Sequence, residues 1–344
     1  MDETSLEKPT ADVEKKKSVE ENLTNKMEIA CQIFIVLVVC YFVYIWPSLE
    51  QMRKDFREKG VDQQLNLTLW IIPGYLFSYG LFLFFNKVLS KPLGMILSNE
   101  HFRQESSEAR RTRVSNLGFG FAYYLCSSAL LFYLGHGTEF EPRGFGGSID
   151  FEHNMSNWPY VDSYKISVFY MLALGHHLER FVKEIVYNLY DSNFWTMIFH
   201  HFLTVMLIWL SFYMRHTCSG IAVMFIHDTS DVLIYFCRFA REIKGPFHTI
   251  ALIIYIPMIC FWFYSRVFIF AKEILYRALI VGVPLMPEWS HNYSNASFFF
   301  LFALSLLMVL NVFWLFQMLS ILISRFVFKK KRIGYIDRTS QKKN

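Results

Sequence analysis

Charge is scarce in this chain. Only 18% of its 344 residues are Asp, Glu, Lys or Arg, against about 25% in soluble domains. That deficit excludes an ordinary water-soluble domain of this length. The net charge of +5 is mild and dispersed, which gives no reason to invoke nucleic acid. A disulfide framework is missing too. Six cysteines (31, 40, 126, 218, 237 and 260) fall in or beside apolar runs, with no C-x-x-C pair among them, and read as small core residues. No two histidines stand three or four residues apart. A membrane di-iron oxygenase needs such spacing to bring several imidazoles onto one metal pair, so metal ligands are not expected. There is no internal repeat. Residues 1–26 are polar and include Lys15-Lys16-Lys17, which reads as a solvated tail rather than a cleavable signal.

What is present is apolar surface. Hydrophobic residues make up 53% of the chain and aromatics 18%. Several apolar runs reach the 18 or more residues that cross a bilayer. The fold class expected is all-α, a polytopic transmembrane helical bundle of about eight spans. They are placed near residues 28–46, 67–89, 117–135, 163–187, 194–213, 218–238, 247–271 and 296–328. The first is expected to end at Trp46-Pro47, and the second to kink at Pro73-Gly74. An even count puts both termini on one side. Basic residues gather there: Lys15, Arg110, Arg180, Lys183, Arg238, Arg241, Lys244 and Lys329. The positive-inside rule makes that side cytoplasmic. The opposite side receives an acidic, Gly-rich loop and the sequons at Asn154, Asn292 and Asn295.

The most informative stretch is Phe199 to Asp231. Two apolar runs are joined by a few polar residues near Arg215, yet they contain His200, His201, His227, Asp228 and Asp231. An acidic side chain at mid-membrane costs roughly 2.5–3.5 kcal/mol on insertion scales. If the chain turns near residue 215, equal rise per residue brings the two histidines to the depth of the two aspartates. His227, Asp228 and Asp231 share one helix face. Imidazoles then stand opposite carboxylates within an apolar slab. Such a set suits acyl transfer: an imidazole takes the proton of an attacking amine or attacks a thioester itself. A carboxylate fixes the imidazole tautomer or binds an ammonium. A non-catalytic membrane protein, a lipid binder or a structural subunit of a larger complex, is the competing reading.

The pattern His200-His201, 25 residues, then His227-Asp228-x-x-Asp231 resembles the signature of ceramide synthases in the TLC domain family. Phe194, Met197, Thr204, Ser211 and Gly220 match as well. The resemblance covers residues 112–333, as six helices. Residues 27–111 then form two N-terminal helices with a basic loop, and residues 1–26 and 334–344 are cytoplasmic tails. It implies an acyl-CoA-dependent sphingoid base N-acyltransferase of the endoplasmic reticulum membrane. The partners implied are acyl-CoA, a sphingoid base and membrane lipids, with a homo- or hetero-oligomer left open; acyl-CoA is a co-substrate and no cofactor is expected. His200, His201, Asp228 and Asp231 are the catalytic candidates. His227, His176 and His177 are expected near the substrate, and Arg238 and Arg241 near the CoA phosphates. The family also points to residues 272–295 for chain-length preference. Asn193, Cys218, Tyr235 and Arg238 depart from residues common in the family, which has an acid, Arg, Glu and Lys there. No homeobox-like insert lies between the first spans.

Overall fold

A computed structural model describes residues 11–60, 65–96, 107–135, 145, 158–159, 163–187, 193–243, 246–282 and 291–326. Every element among them is helical. In chain order they are α1 (Ala11–Glu58), α2 (Ile71–Phe84), α3 (Ser90–Met95), α4 (Ser107–Gly135), α5 (Tyr164–Tyr187), α6 (Phe194–Tyr213), α7 (Thr217–Ala240), α8 (Phe247–Trp262) and α9 (His291–Phe326). A 3₁₀ turn (Leu65–Trp70) leads into α2, and one π-helical turn (Phe85–Leu89) joins α2 to α3. The helix of α8 continues in π geometry over Phe263–Tyr276 and Ala278–Gly282.

Among the described residues, seven stretches are long and apolar enough to cross a bilayer. The eighth helix of spanning length, α5, has 24 residues but carries His176, His177, Glu179, Arg180, Lys183 and Glu184. Its polar face is turned inward, and His176, Glu179 and Glu184 are buried. The protein is thus a multi-pass helical bundle.

α6 and α7 form its hub. α1, α5 and α9 pack on α6, while α4, α8 and the π-helical stretch pack on α7. α1 shows how the sequence chooses one face. Its buried residues are Cys31, Val38, Ile45, Leu49, Met52 and Phe56, a stripe with heptad spacing that meets α6 and α9. Val36, Val39, Val43 and Tyr44 point outward, as apolar residues facing lipid do. Aromatic pairs lock the seam: Tyr41 meets Phe299 edge-on at 5.0 Å and Phe34 stacks on Phe199 at 6.0 Å.

One expectation about proline changes. α1 does not end at Trp46-Pro47 but runs through Pro47 to Glu58. Trp46 Nε1 donates to Glu50 Oε1 at 2.9 Å across the proline, one turn on. Pro73 is the third residue of α2, near the junction where the 3₁₀ turn passes into α-helix within the continuous helical span Asn66–Met95. The sequons Asn292 and Asn295 fall within the first turns of α9, whereas Pro284, Pro287 and Asn154 lie outside the described residues.

α2 and α5 cross through glycines. A Cβ at Gly74 would lie 2.8 Å from Leu172 Cα, and one at Gly175 would lie 2.6 Å from Tyr75 N. Small residues let two membrane helices approach backbone to backbone. Gly175→Val is therefore expected to cost about 3 kcal/mol or more, seen as a lower midpoint in thermal size-exclusion of detergent-solubilised protein. An unchanged midpoint would contradict the close crossing.

Candidate active site

The α6–α7 turn fixes the depth of everything that follows. Arg215 adopts φ 61°, the left-handed conformation usually given to glycine at a helix end. His216 N donates to Ser211 O at 2.7 Å, and Arg215 N donates to Phe212 O at 3.3 Å. These two bonds close a Schellman motif, so the chain reverses within three residues. His200 lies fifteen residues before Arg215 and Asp231 sixteen after it. At 1.5 Å per residue they sit at one level.

A narrow cavity of about 60 Å³ opens between α6, α7 and α9 at that level. His200, His201 and Thr204 line it from α6, with Leu207 and Ile208 deeper along the same face. From α7 come Asp231, Asp228, His227, Met224, Val223 and Gly220, one stripe stepping by three and four residues. Phe300, Leu304 and Leu307 close it from α9, Tyr124 from α4, and Tyr170 and His177 from α5. The imidazoles and carboxylates all belong to one end. Past His227 the wall is apolar for about 10 Å along α7, through Met224 and Val223 to Gly220.

Within the polar end the imidazoles and carboxylates do not pair with each other. Asp228, 1% exposed, accepts a hydrogen bond from Ser127 Oγ at 2.6 Å. Asp231 pairs with Arg266 Nη2 at 2.5 Å. The rings of His200 and His201 are 5.3 Å apart, and the Nδ1 atoms of both are buried without a partner. Trp314 meets the His200 ring edge-on at 5.0 Å. The expected carboxylate–imidazole bond is therefore absent from these residues, because Ser127 and Arg266 have taken the carboxylates. His227 is held on both sides. Its Nδ1–H donates to Val223 O at 2.8 Å, and its Nε2 accepts from Asn311 Nδ2 at 3.3 Å. That tautomer leaves it no free nitrogen for chemistry.

The pair on α5 divides. His177 reaches the cavity. His176 faces α2 and α4 instead: its Nδ1 bonds Ser78 Oγ at 2.7 Å, Ser78 Oγ donates to Glu179 at 3.1 Å, and its ring stacks on Tyr123 with centroids 3.3 Å apart. Arg238 is exposed and Arg241 half-buried, and neither lines the cavity. Among the described residues no three of His, Cys, Asp and Glu converge as a metal site requires.

Sequence reasoning missed Arg266 and Asn311. Arg266 is 2% exposed. Besides Asp231 it reaches Ser230 Oγ through Nε at 2.5 Å and the His227 carbonyl at 2.8 Å, and it lies over the Trp262 ring at 3.9 Å. It was legible in principle, as the one cation inside an apolar run that begins near residue 247 and extends beyond it. Asn311, a lone amide in α9, carried a weaker form of the same signal. Ser127 and Tyr124 carried none, since serine and tyrosine are common in apolar helices.

A model of the TLC domain matches residues 113–320, well over half of the chain. The chain belongs to the TLC-domain family. It is 26% identical over 169 residues to human ceramide synthase 4, covering 49% of this chain and 40% of the relative. Human ceramide synthase 1 is 28% identical over 197 residues, 54% and 55% of the two chains. Sphingosine N-acyltransferase lag1 of Schizosaccharomyces pombe is 24% identical over 173 residues, 50% and 41%. The chain thus spans about half the length of the curated relatives it matches. Within this TLC domain the unusual Tyr235 has a clear place. Its hydroxyl accepts from Arg180 Nη2 at 3.2 Å, and its ring fills the notch left by Gly120.

Removing Arg266 would strand Asp231 as an unpaired buried charge. Arg266→Ala is expected to destabilise the protein by about 3–5 kcal/mol. Arg266→Met/Asp231→Leu should recover most of that loss, as apolar replacement of a whole buried pair often does. Thermal midpoints of the two variants check this; equal midpoints would show that the pair carries no charge penalty.

Proposed function

We propose that the protein is a sphingoid base N-acyltransferase that uses acyl-CoA. The observation that carries the reading is one layer of His200, His201, Asp228 and Asp231 at the polar end of an otherwise apolar slot. At about 60 Å³ the slot is far smaller than the about 300–1,000 Å³ of drug-sized pockets. Past its polar layer the slot is walled by apolar side chains, which suit the alkyl chain of a fatty acyl group. The family relatives named as ceramide synthases support the same chemistry.

The reaction follows from the groups present. The amine of the base attacks the thioester carbonyl carbon. An imidazole of His200 or His201, with no hydrogen bond to its Nδ1, takes the proton that nitrogen releases. The carbon–sulfur bond breaks, and the imidazolium returns that proton to the departing thiolate. The products are an amide and free coenzyme A. Asp228, buried and bonded by Ser127, faces the incoming amine. Asp231 is committed to Arg266 and keeps the α7–α8 side of the slot in register. The apolar wall excludes water that would hydrolyse the thioester.

The substrate assignment also places the chain in the membrane. In this reading it lies in the endoplasmic reticulum with both termini cytoplasmic. Arg238 and Arg241, at the end of α7 nearest the polar layer, then meet the CoA phosphates, while Arg110 and Arg113 are engaged with Glu242 at 3.4 and 3.1 Å.

Purified protein supplied with sphinganine and a panel of acyl-CoAs tests the activity. His200→Ala and His201→Ala are each expected to lower kcat by about 10²–10⁴-fold. Amide formation that survives both changes would remove their catalytic role. Arg238→Ala/Arg241→Ala should raise KM for acyl-CoA without changing KM for the base. A rise in both would mean the arginines act on the fold instead.

A further inference from the structure

The slot has a closed end, opposite the histidines. Three helices meet there: Tyr170 of α5, Ser211 of α6 and Gly220 of α7. Tyr170 Oη and Ser211 Oγ are 2.6 Å apart, and Ser211 Oγ donates onward to Ile208 O at 3.0 Å. The tyrosine hydroxyl therefore donates to the serine, and the serine to the backbone. Tyr170 is 0% exposed, as is Ser211. The tyrosine spends its proton on the serine and the serine its own on the Ile208 carbonyl, so this pair offers no open donor to the end of the slot. Gly220 makes this crossing feasible. A Cβ there would overlap Tyr170 Oη and come 2.7 Å from Ser211 Oγ. Only glycine leaves room there for the tyrosine hydroxyl.

We propose that Tyr170, Ser211 and Gly220 form the floor on which the terminal methyl of the acyl chain stops, and so set the longest chain the protein transfers. This rests on the acyltransferase reading above. The acyl chain suits the slot better than the tail of the base. Every atom beyond the acyl carbonyl is apolar, and so is the wall between Thr204 and the floor, with Leu207, Ile208, Val223 and Met224 prominent in it. A sphingoid base carries hydroxyls beside its amine. Thr204, the polar side chain just below the histidines, already donates to His200 O at 2.9 Å.

The test uses full-length purified protein, sphinganine, and saturated acyl-CoAs of graded length. Gly220→Ala pushes Tyr170 into the slot and is expected to lower the ratio of long- to short-chain amide about tenfold. Tyr170→Leu removes the floor and should raise that ratio by a similar factor, and it keeps the test alive if the glycine variant does not fold. Gly220→Ala/Tyr170→Phe deletes the nearest clashing atom but leaves Tyr170 Cζ at 2.8 Å and Ser211 Oγ at 2.7 Å from the new Cβ, and should return the ratio only part of the way toward that of the unaltered protein. A second series varies the length of the base with one acyl-CoA. Amide formed at an unchanged acyl-length ratio in every variant overturns the floor. A shift confined to base length overturns its assignment to the acyl chain. No amide from the unaltered protein with any acyl-CoA is a different result: it removes the acyltransferase reading and this inference together.

Discussion

One buried guanidinium holds the polar layer of this bundle together. Arg266 sits where no water reaches it, and a charge in such a place survives only if it is paired and hydrogen-bonded. Asp231, Ser230 and the His227 carbonyl meet those needs, all from two turns of α7. The consequence extends beyond the pair. With Asp231 committed to Arg266 and Asp228 to Ser127, His200 and His201 are left with free Nδ1 atoms. The carboxylates therefore organise the wall rather than orient the imidazoles directly. The π-helical geometry of the stretch that carries Arg266 fits this demand, since widened turns recur where a helix must re-aim a side chain at a functional site.

The rest of the bundle serves to keep that layer dry and level. The Schellman turn at Arg215 sets α6 and α7 in register. The heptad stripe of α1 and the small-residue crossing of α2 with α5 cover the hub on two sides. α5 could not stand alone in lipid with its buried glutamates and histidines. It is sheltered by α2 and α6, so its polarity faces protein rather than hydrocarbon.

Much of this was legible before any coordinates. The hairpin and the common depth of its histidines and aspartates follow from helix rise and one polar break. The spans follow from apolar run length. Where reading failed, the cause was local. Pro47 looked like a terminus because proline removes a helical donor, yet neighbouring contacts carry α1 through it. His176 and His177 looked like a pair because they are adjacent, although neighbours on a helix point about 100° apart and these two serve different clusters. Partners such as Ser127 and Tyr170 come from distant helices, and only tertiary packing reveals them.

The central claim is that an apolar slot, headed by the histidine layer, receives a fatty acyl chain. Photocrosslinking with an acyl-CoA that carries a diazirine near its terminal carbon tests this most directly. The account predicts label on Val223, Met224 or Leu304, competed away by unlabelled acyl-CoA. Label confined to outward-facing residues such as Val36, Phe77 or Ile253, and indifferent to competitor, would contradict it.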